Sequence, residues 1–307
     1  MKKFMTIVAA LMLGAALMTG CGAAKKAPSE AETVTVNVAA LKGPTAMGMV
    51  DFMDKSEHNS LTEYTYRFEI AAAADEVTPK LVQGQVDIAA VPANLASVLY
   101  NNTDAGVRVL AVNTLGVIYL VESGDTVSDI SDLKGRTIYA SGKGATPEYA
   151  LNYILTQNGM DPDKDLTIEW KSEHAECLSA LMAQENAVAM LPQPFVTTAQ
   201  AKSDKIRVAL DLTEEWDKLG SDSALLTGVV VARKEFVEQY PAAVTDFLAH
   251  YEASVTYVNE HVEEAAALIE KYDIVPAAVA VKAVPKCNIV LITGEEMKQK
   301  LSGYLKV

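Results

Sequence analysis

Three cysteines in 307 residues are too few for a disulfide framework, and Cys21, Cys177 and Cys287 stand in no CxxC or Cys/His spacing that would hold a metal. Cations are scarce as well: 26 Lys and Arg face 40 Asp and Glu, for a formal net charge of −14. A nucleic-acid-binding surface needs clustered Lys and Arg; no such cluster is present, so no nucleic-acid partner is expected. The acidity itself serves solubility. The four histidines, His58, His174, His250 and His261, are scattered along the chain. His174, Glu176 and Cys177 form the only tight group, which reads as a solvated helix start. No GxSxG is found. Gly142-Lys143 falls short of a phosphate-binding loop, because that motif needs Gly at 137 and Ser or Thr at 144, where the chain has Thr and Gly. These absences exclude the common hydrolase and nucleotide-binding chemistries. The expectation is a protein that is not an enzyme and carries no cofactor and no metal.

What is present is a long, apolar, repetitive chain. Half of the residues are hydrophobic, enough for a sizeable core in one or two domains. The segment Leu81–Leu95 (LVQGQVDIAAVPANL) reads as a helix end, a turn at Gly84, a buried strand and a stop at Pro92. One hundred positions on, Leu181–Phe195 (LMAQENAVAMLPQPF) repeats it, with Ile88 opposite Val188, Ala89 opposite Ala189 and Pro92 opposite Pro192. The same shift sets Val38–Thr45 against Ile138–Ala145, both an apolar strand entering a Gly-rich turn and then a helix. Duplicated blocks in one register imply two similar lobes. The expected fold class is α/β: two Rossmann-like lobes with mixed central sheets, joined by hinge strands.

Lys2 and Lys3 precede an apolar stretch, Thr6–Leu17, that is too short to span a bilayer comfortably. Met18-Thr19-Gly20-Cys21 then resembles the lipobox of bacterial lipoproteins, with Met18 where Leu is usual. That resemblance implies a signal peptide over 1–20, acylation of Cys21 and anchorage to the bacterial cell membrane on its outer side. Residues 21–33, small and polar, suit a flexible tether. Cys177 and Cys287 fall in different expected lobes, where a disulfide would lock them together; two buried or partly buried free thiols are expected.

The lobes are expected over 34–114 with 224–307, and over 115–223. Their strands end in turns that feed helices, and such turns offer free backbone N–H groups where open α/β sheets bind ligands. In the first lobe these are Lys42-Gly43-Pro44-Thr45 and the turn before Asn94, a residue suited to capping or to reaching a ligand. In the second they are Gly142-Lys143-Gly144-Ala145-Thr146, with Thr146 as N-cap and Pro147 behind it, and the turn at Gln193. Lys42 and Lys143 either add full charge to this cleft or point to solvent. Hinges are expected around Thr114–Gly116 and Ser221–Thr227, with Thr114 also expected among the ligand-binding residues. The return strand Thr227–Ala232 belongs to the first lobe, and the helical remainder is expected to pack there.

The order of lipobox, KGPT after strand one, the repeated strand-and-Pro block, Asp132–Gly135 (DLKG), GKGAT and Val229–Leu248 (VVVARKEFVEQYPAAVTDFL) resembles the solute-binding lipoproteins of ABC importers. Within these it is similar to the branch of nitrate, alkanesulfonate and thiamine-pyrimidine binders, over nearly all of 34–307. The resemblance implies a type II periplasmic binding protein of Venus-flytrap form, a monomer that closes on a small solute (a sulfonate, a pyrimidine-like molecule or another small organic compound) and delivers it to ABC permease subunits. Two other readings stand beside it: a ligand-sensing lipoprotein of the same fold that signals through its closed state, and an extracytoplasmic enzyme related to the pyrimidine-synthesising branch.

Overall fold

The computed structural model describes residues 34–58, 60–61, 63–220 and 223–306. The leader, Cys21, the tether and Ser221 at the start of the second hinge lie outside the described residues. Residues from Val34 on form one compact unit.

The chain opens with β1 (Thr35–Leu41), α1 (Pro44–Met47), α2 (Val50–Glu57), β2 (Thr65–Ala71), α3 (Ala74–Val82), β3 (Ile88–Pro92), α4 (Ala93–Asn102) and β4 (Val107–Leu115). It crosses at Gly116 to β5 (Ile118–Ser123), β6 (Thr137–Ser141), α5 (Thr146–Gln157), β7 (Thr167–Lys171), α6 (His174–Ala183), β8 (Val188–Pro192), α7 (Phe195–Lys202), β9 (Ile206–Asp211) and α8 (Leu212–Lys218). It returns through β10 (Leu226–Arg233), α9 (Lys234–Gln239), α10 (Pro241–Glu260), α11 (Val262–Lys271), α12 (Ala277–Ala283), β11 (Ile289–Ile292) and α13 (Gly294–Tyr304). The stretch after β9 carries a helix, in which Asp211 caps Thr213 N at 2.8 Å and Trp216 is driven inward.

Two sheets result, ordered β11-β4-β10-β3-β1-β2 and β7-β6-β8-β5-β9. Their inner strands are apolar throughout because helices cover both faces of each mixed sheet. The repeat seen in the sequence is a repeat of hydrogen-bond register. Val38 pairs Ile88, and Ile138 pairs Val188; Asn37 pairs Arg67, and Thr137 pairs Thr167. Each lobe takes its fourth strand from a crossing segment: β10 runs antiparallel to β3 with Val230 opposite Ala90, and β5 antiparallel to β8 with Leu120 opposite Met190. One register shift recurs, after Val230 in one lobe and after Leu120 in the other, while the first lobe has two more on either side of Gly228. The lobes differ at the turn before the third strand, where Gly84 (φ 75°) serves one and Asn186 (φ 56°) the other; both are residues that tolerate a left-handed backbone.

Apolar side chains fill both faces of each sheet. On α10 the buried residues Val244, Phe247, Tyr251, Val255 and Val258 follow helical spacing and join the first lobe's core with α2, α11 and α12. Cys287 lies in that core and Cys177 in the second lobe's; both thiols are free and buried. α13 packs on the first lobe through Met297 and Leu301, and its Tyr304 reaches the second lobe's core as well.

Candidate ligand cleft

The carboxyl ends of β1, β3, β6 and β8 lead into α1, α4, α5 and α7, so the amino ends of these helices lie along the carboxyl edges of the two sheets, and those of α4 and α5 meet across the lobes through Asn94 and Thr146. Each such end presents unpaired N–H groups and a partial positive charge.

On the first lobe, Gly43 adopts φ 122°, a conformation open to glycine, and precedes Pro44 at the start of α1. Lys42 is turned to the surface, where its Nζ meets Asp273 at 2.7 Å. Thr45 donates its Oγ1 to Leu41 O at 2.8 Å, and its own carbonyl accepts from Asn113 Nδ2 at 3.4 Å. Thr114 is buried beside Asn113, whose amide also donates to Tyr251 Oη at 3.0 Å. Thr45, Asn113 and Thr114 close around Gly228 so tightly that a Cβ there would meet them at 2.5–2.9 Å. These threonines therefore brace the base of the turn. Asn94 lies in the first turn of α4 and caps nothing; Pro92 holds the N-cap position.

On the second lobe, Gly142 and Gly144 both have positive φ, at 84° and 76°. Gly144 N donates to Glu148 Oε2 at 2.5 Å, and Lys143 stands exposed. The cap of α5 is Ala145 rather than Thr146. The Thr146 hydroxyl is thereby released from capping, and the residue is 3% exposed. Its Oγ1 lies 3.5 Å from Asn94 Oδ1 of the other lobe and 2.8 Å from Tyr304 Oη. Gln193, 1% exposed, spends its Oε1 on Thr197 N (3.3 Å) and Thr197 Oγ1 (2.8 Å), while its buried Nε2 has no partner. A buried amide donor without an acceptor costs free energy, about 1–3 kcal/mol, unless another molecule supplies one.

The structure thus joins Asn94 to Thr146, keeps Thr45 and Thr114 together beneath the first turn, and sets Lys42 on Asp273. His174 departs from expectation. It is not a solvated helix start: its Nδ1 sits 2.6 Å from Ser141 Oγ at the end of β6, and its ring lies 5.0 Å from that of Phe195. Burial holds its pKa below the ordinary imidazole value, which favours the neutral ring, and burial also pushes the neighbouring Cys177 thiol up. In the sequence His174 reads as a helix start only, and Ser141, Phe195 and Tyr304 look ordinary in their own stretches. The repeat held a signal for three of these four residues. Ser141, His174 and Phe195 stand where the first lobe has Leu41, Ala74 and Leu95, so the scaffold itself asks for no polar group there.

Two α/β lobes that meet at the amino ends of α4 and α5 are the arrangement of a type II periplasmic binding fold. A family model described as ABC transporter, phosphonate, periplasmic substrate-binding protein matches residues 56–282, and the chain belongs to this family. Among solved structures, an ABC transporter protein from Parabacteroides distasonis superposes with a TM-score of 0.73 at 22% identity, covering 90% of this chain and 91% of that one. The periplasmic aliphatic sulphonate-binding protein SsuA from Escherichia coli gives 0.70 at 18% identity, over 89% and 91%. The periplasmic nitrate-binding protein NrtA from Synechocystis PCC 6803 gives 0.61 at 13% identity, over 87% and 75%. At such identities these likenesses show the fold, a type II periplasmic binding protein. A search of curated proteins finds no match. No helix among the described residues is long and apolar enough to cross a membrane.

Proposed function

We propose that the protein captures a small organic oxyanion, a phosphonate or sulfonate, between its lobes and delivers it unchanged to an ABC permease, held at the outer membrane face by a lipid on Cys21. The contact between Asn94 and Thr146 carries this reading: two helix amino ends from opposite lobes meet on one pair of polar side chains. Around it the cleft would be formed by residues 42–45 and 92–94 of a lobe spanning 34–114 and 224–307, and by residues 142–146 and 192–194 of a lobe spanning 115–223. The N–H groups of α4, α5 and α7 and the unpartnered Gln193 amide are all neutral donors. A three-oxygen anion accepts several such bonds at once, and the helix ends favour its charge by about 0.3–1 kcal/mol each. With Lys42 engaged by Asp273 and Lys143 exposed, recognition rests on dipoles rather than on a full counter-charge. Excluding water on closure raises the value of each bond.

The test is thermal unfolding against methylphosphonate, short alkanesulfonates, nitrate and pyrimidines. A true ligand at about a hundred times its Kd adds about 2.7 kcal/mol, a rise of about 5–10 °C. It should be recovered intact after incubation, and Asn94→Ala should reduce the shift. A panel without any shift, or turnover of the bound compound, would reject the proposal.

A further inference from the structure

The repeat accounts for β1 to β4 and β6 to β9 with their helices, and for the two donated strands, but not for the end of the chain. β11 adds a sixth strand beside β4, and α13 follows it with no counterpart in the second lobe. No residue of α13 is fully buried, so the helix does not build a core. Met297 and Leu301 rest on the first lobe against the cluster of Val112, Leu226 and Val229. One turn further on, Tyr304 leaves that surface for the other lobe. Its ring lies 6.3 Å from that of Trp216 on α8, which in turn lies 4.6 Å from Tyr153 on α5. Its hydroxyl reaches Thr146 Oγ1 at 2.8 Å, and the same Oγ1 is 3.5 Å from Asn94 Oδ1. The Thr146 hydroxyl is therefore the point at which the first lobe, the second lobe and the C-terminal helix meet.

We propose that α13 is a strap laid across the lobe junction, and that Tyr304 latches the second lobe closed by holding Thr146 and Trp216. Rotation of the second lobe away from the first would break the Tyr304–Thr146 and Asn94–Thr146 bonds and expose the Tyr304 and Trp216 rings in one movement. A latch of this kind sets the fraction of molecules that are closed, and apparent affinity scales with that fraction. In taking Thr146 as a cleft residue the inference rests on the proposed function.

The latch is tested without ligand. Small-angle X-ray scattering gives the radius of gyration of the parent protein, Tyr304→Phe and Tyr304→Ala. Trp216 emission is read in a Trp170→Phe background, since these are the chain's two tryptophans. Tyr304→Phe removes only the hydroxyl and should lower the closed-to-open ratio about two- to ten-fold, the worth of one hydrogen bond, with a larger radius. Tyr304→Ala also removes the ring; its radius should rise further and Trp216 emission should move to the red. Cooperative thermal unfolding of both variants shows that they fold, and the conservative Tyr304→Phe keeps the question open to measurement should Tyr304→Ala not fold. Folded variants that retain the parent radius would overturn the latch, even if Trp216 emission shifts. A larger radius together with an unresponsive solute panel would keep the latch and reject the proposed ligand class, so the two failures are distinct.

Discussion

The two lobes share a scaffold down to the position of a register shift, yet they treat charge, packing and polarity differently. Each buries one carboxylate near the sheet end remote from the cleft, at unrelated positions. In the first lobe Asp87 accepts from Asn37 N (2.9 Å), Asn37 Nδ2 (3.1 Å) and Arg233 Nη2 (2.6 Å). In the second, Glu122 stands where the first has Ala232, and it accepts from Thr126 N, Val127 N, Thr126 Oγ1 and Arg207 Nη2, with Arg136 at 3.8 Å. Near the cleft, Gly228 of the first lobe faces Ile118 of the second across the repeat, since the two pair with Pro92 and Pro192. Duplicated backbone register thus tolerates unlike side chains wherever each lobe satisfies its own polar groups.

The largest effect expected from disturbing this comparison is at Glu122, whose side chain is 0% exposed. Glu122→Gln leaves Arg207 and two loop N–H groups facing a neutral amide, and should cost about 3–5 kcal/mol in denaturant unfolding. Desolvation, the largest single influence, pushes the Glu122 carboxyl up, but the hydrogen bonds from Thr126 and Val127 and the charge of Arg207 together outweigh it and hold the carboxyl below its ordinary pKa. A depressed carboxylate pKa contributes stability that is present above the unfolded-state pKa and is lost as pH falls through the folded-state value. The parent should therefore lose stability on acidification below the ordinary carboxylate range, and Glu122→Gln should flatten that slope. An unchanged slope would show that the second lobe does not depend on this carboxylate. Next in size is Gly228→Ala. A methyl at 2.5 Å from Asn113 Oδ1 and 2.8 Å from Thr45 Cγ2 should cost about 1–3 kcal/mol, and should disturb the Asn113–Tyr251 bond as read by hydrogen exchange around β4. Full stability in that variant would mean that the first lobe needs no glycine there. The smallest effect is at Val82 and Met182, one position in two copies, 57% and 47% exposed at the ends of α3 and α6. Val82→Ser and Met182→Ser should each change stability by less than about 0.5 kcal/mol, with the same sign. A large loss in either one would break the equivalence.

Much of the architecture was legible beforehand, for a local reason. Ile88–Pro92 and Val188–Pro192 are short apolar runs stopped by proline, and periodicity with turn chemistry reports such elements directly. The crossing at Gly116 was legible too, as a glycine in a long apolar stretch; Thr213 leaves no room there for a Cβ. Less legible were the helix after β9 and the caps. Thr146 and Asn94 are good capping residues by type, but Ala145 and Pro92 stand in the cap positions. Cap position depends on where the chain leaves its strand, and a shift of one residue exchanges a capping hydroxyl for a free one.

The sequence by itself determined the α/β class, the repeated strand–turn–helix units and the glycines that form their turns, because these follow from neighbours within a few residues and from a pattern that recurs after one hundred. Tertiary structure alone decided which polar atoms meet. Asn94, Thr146 and Tyr304 lie 52 and 158 residues apart along the chain, and Ser141 lies 33 from His174. Hydrogen bonds act over about 3 Å, so partners so far apart in sequence are chosen by how the sheets and the last helix pack.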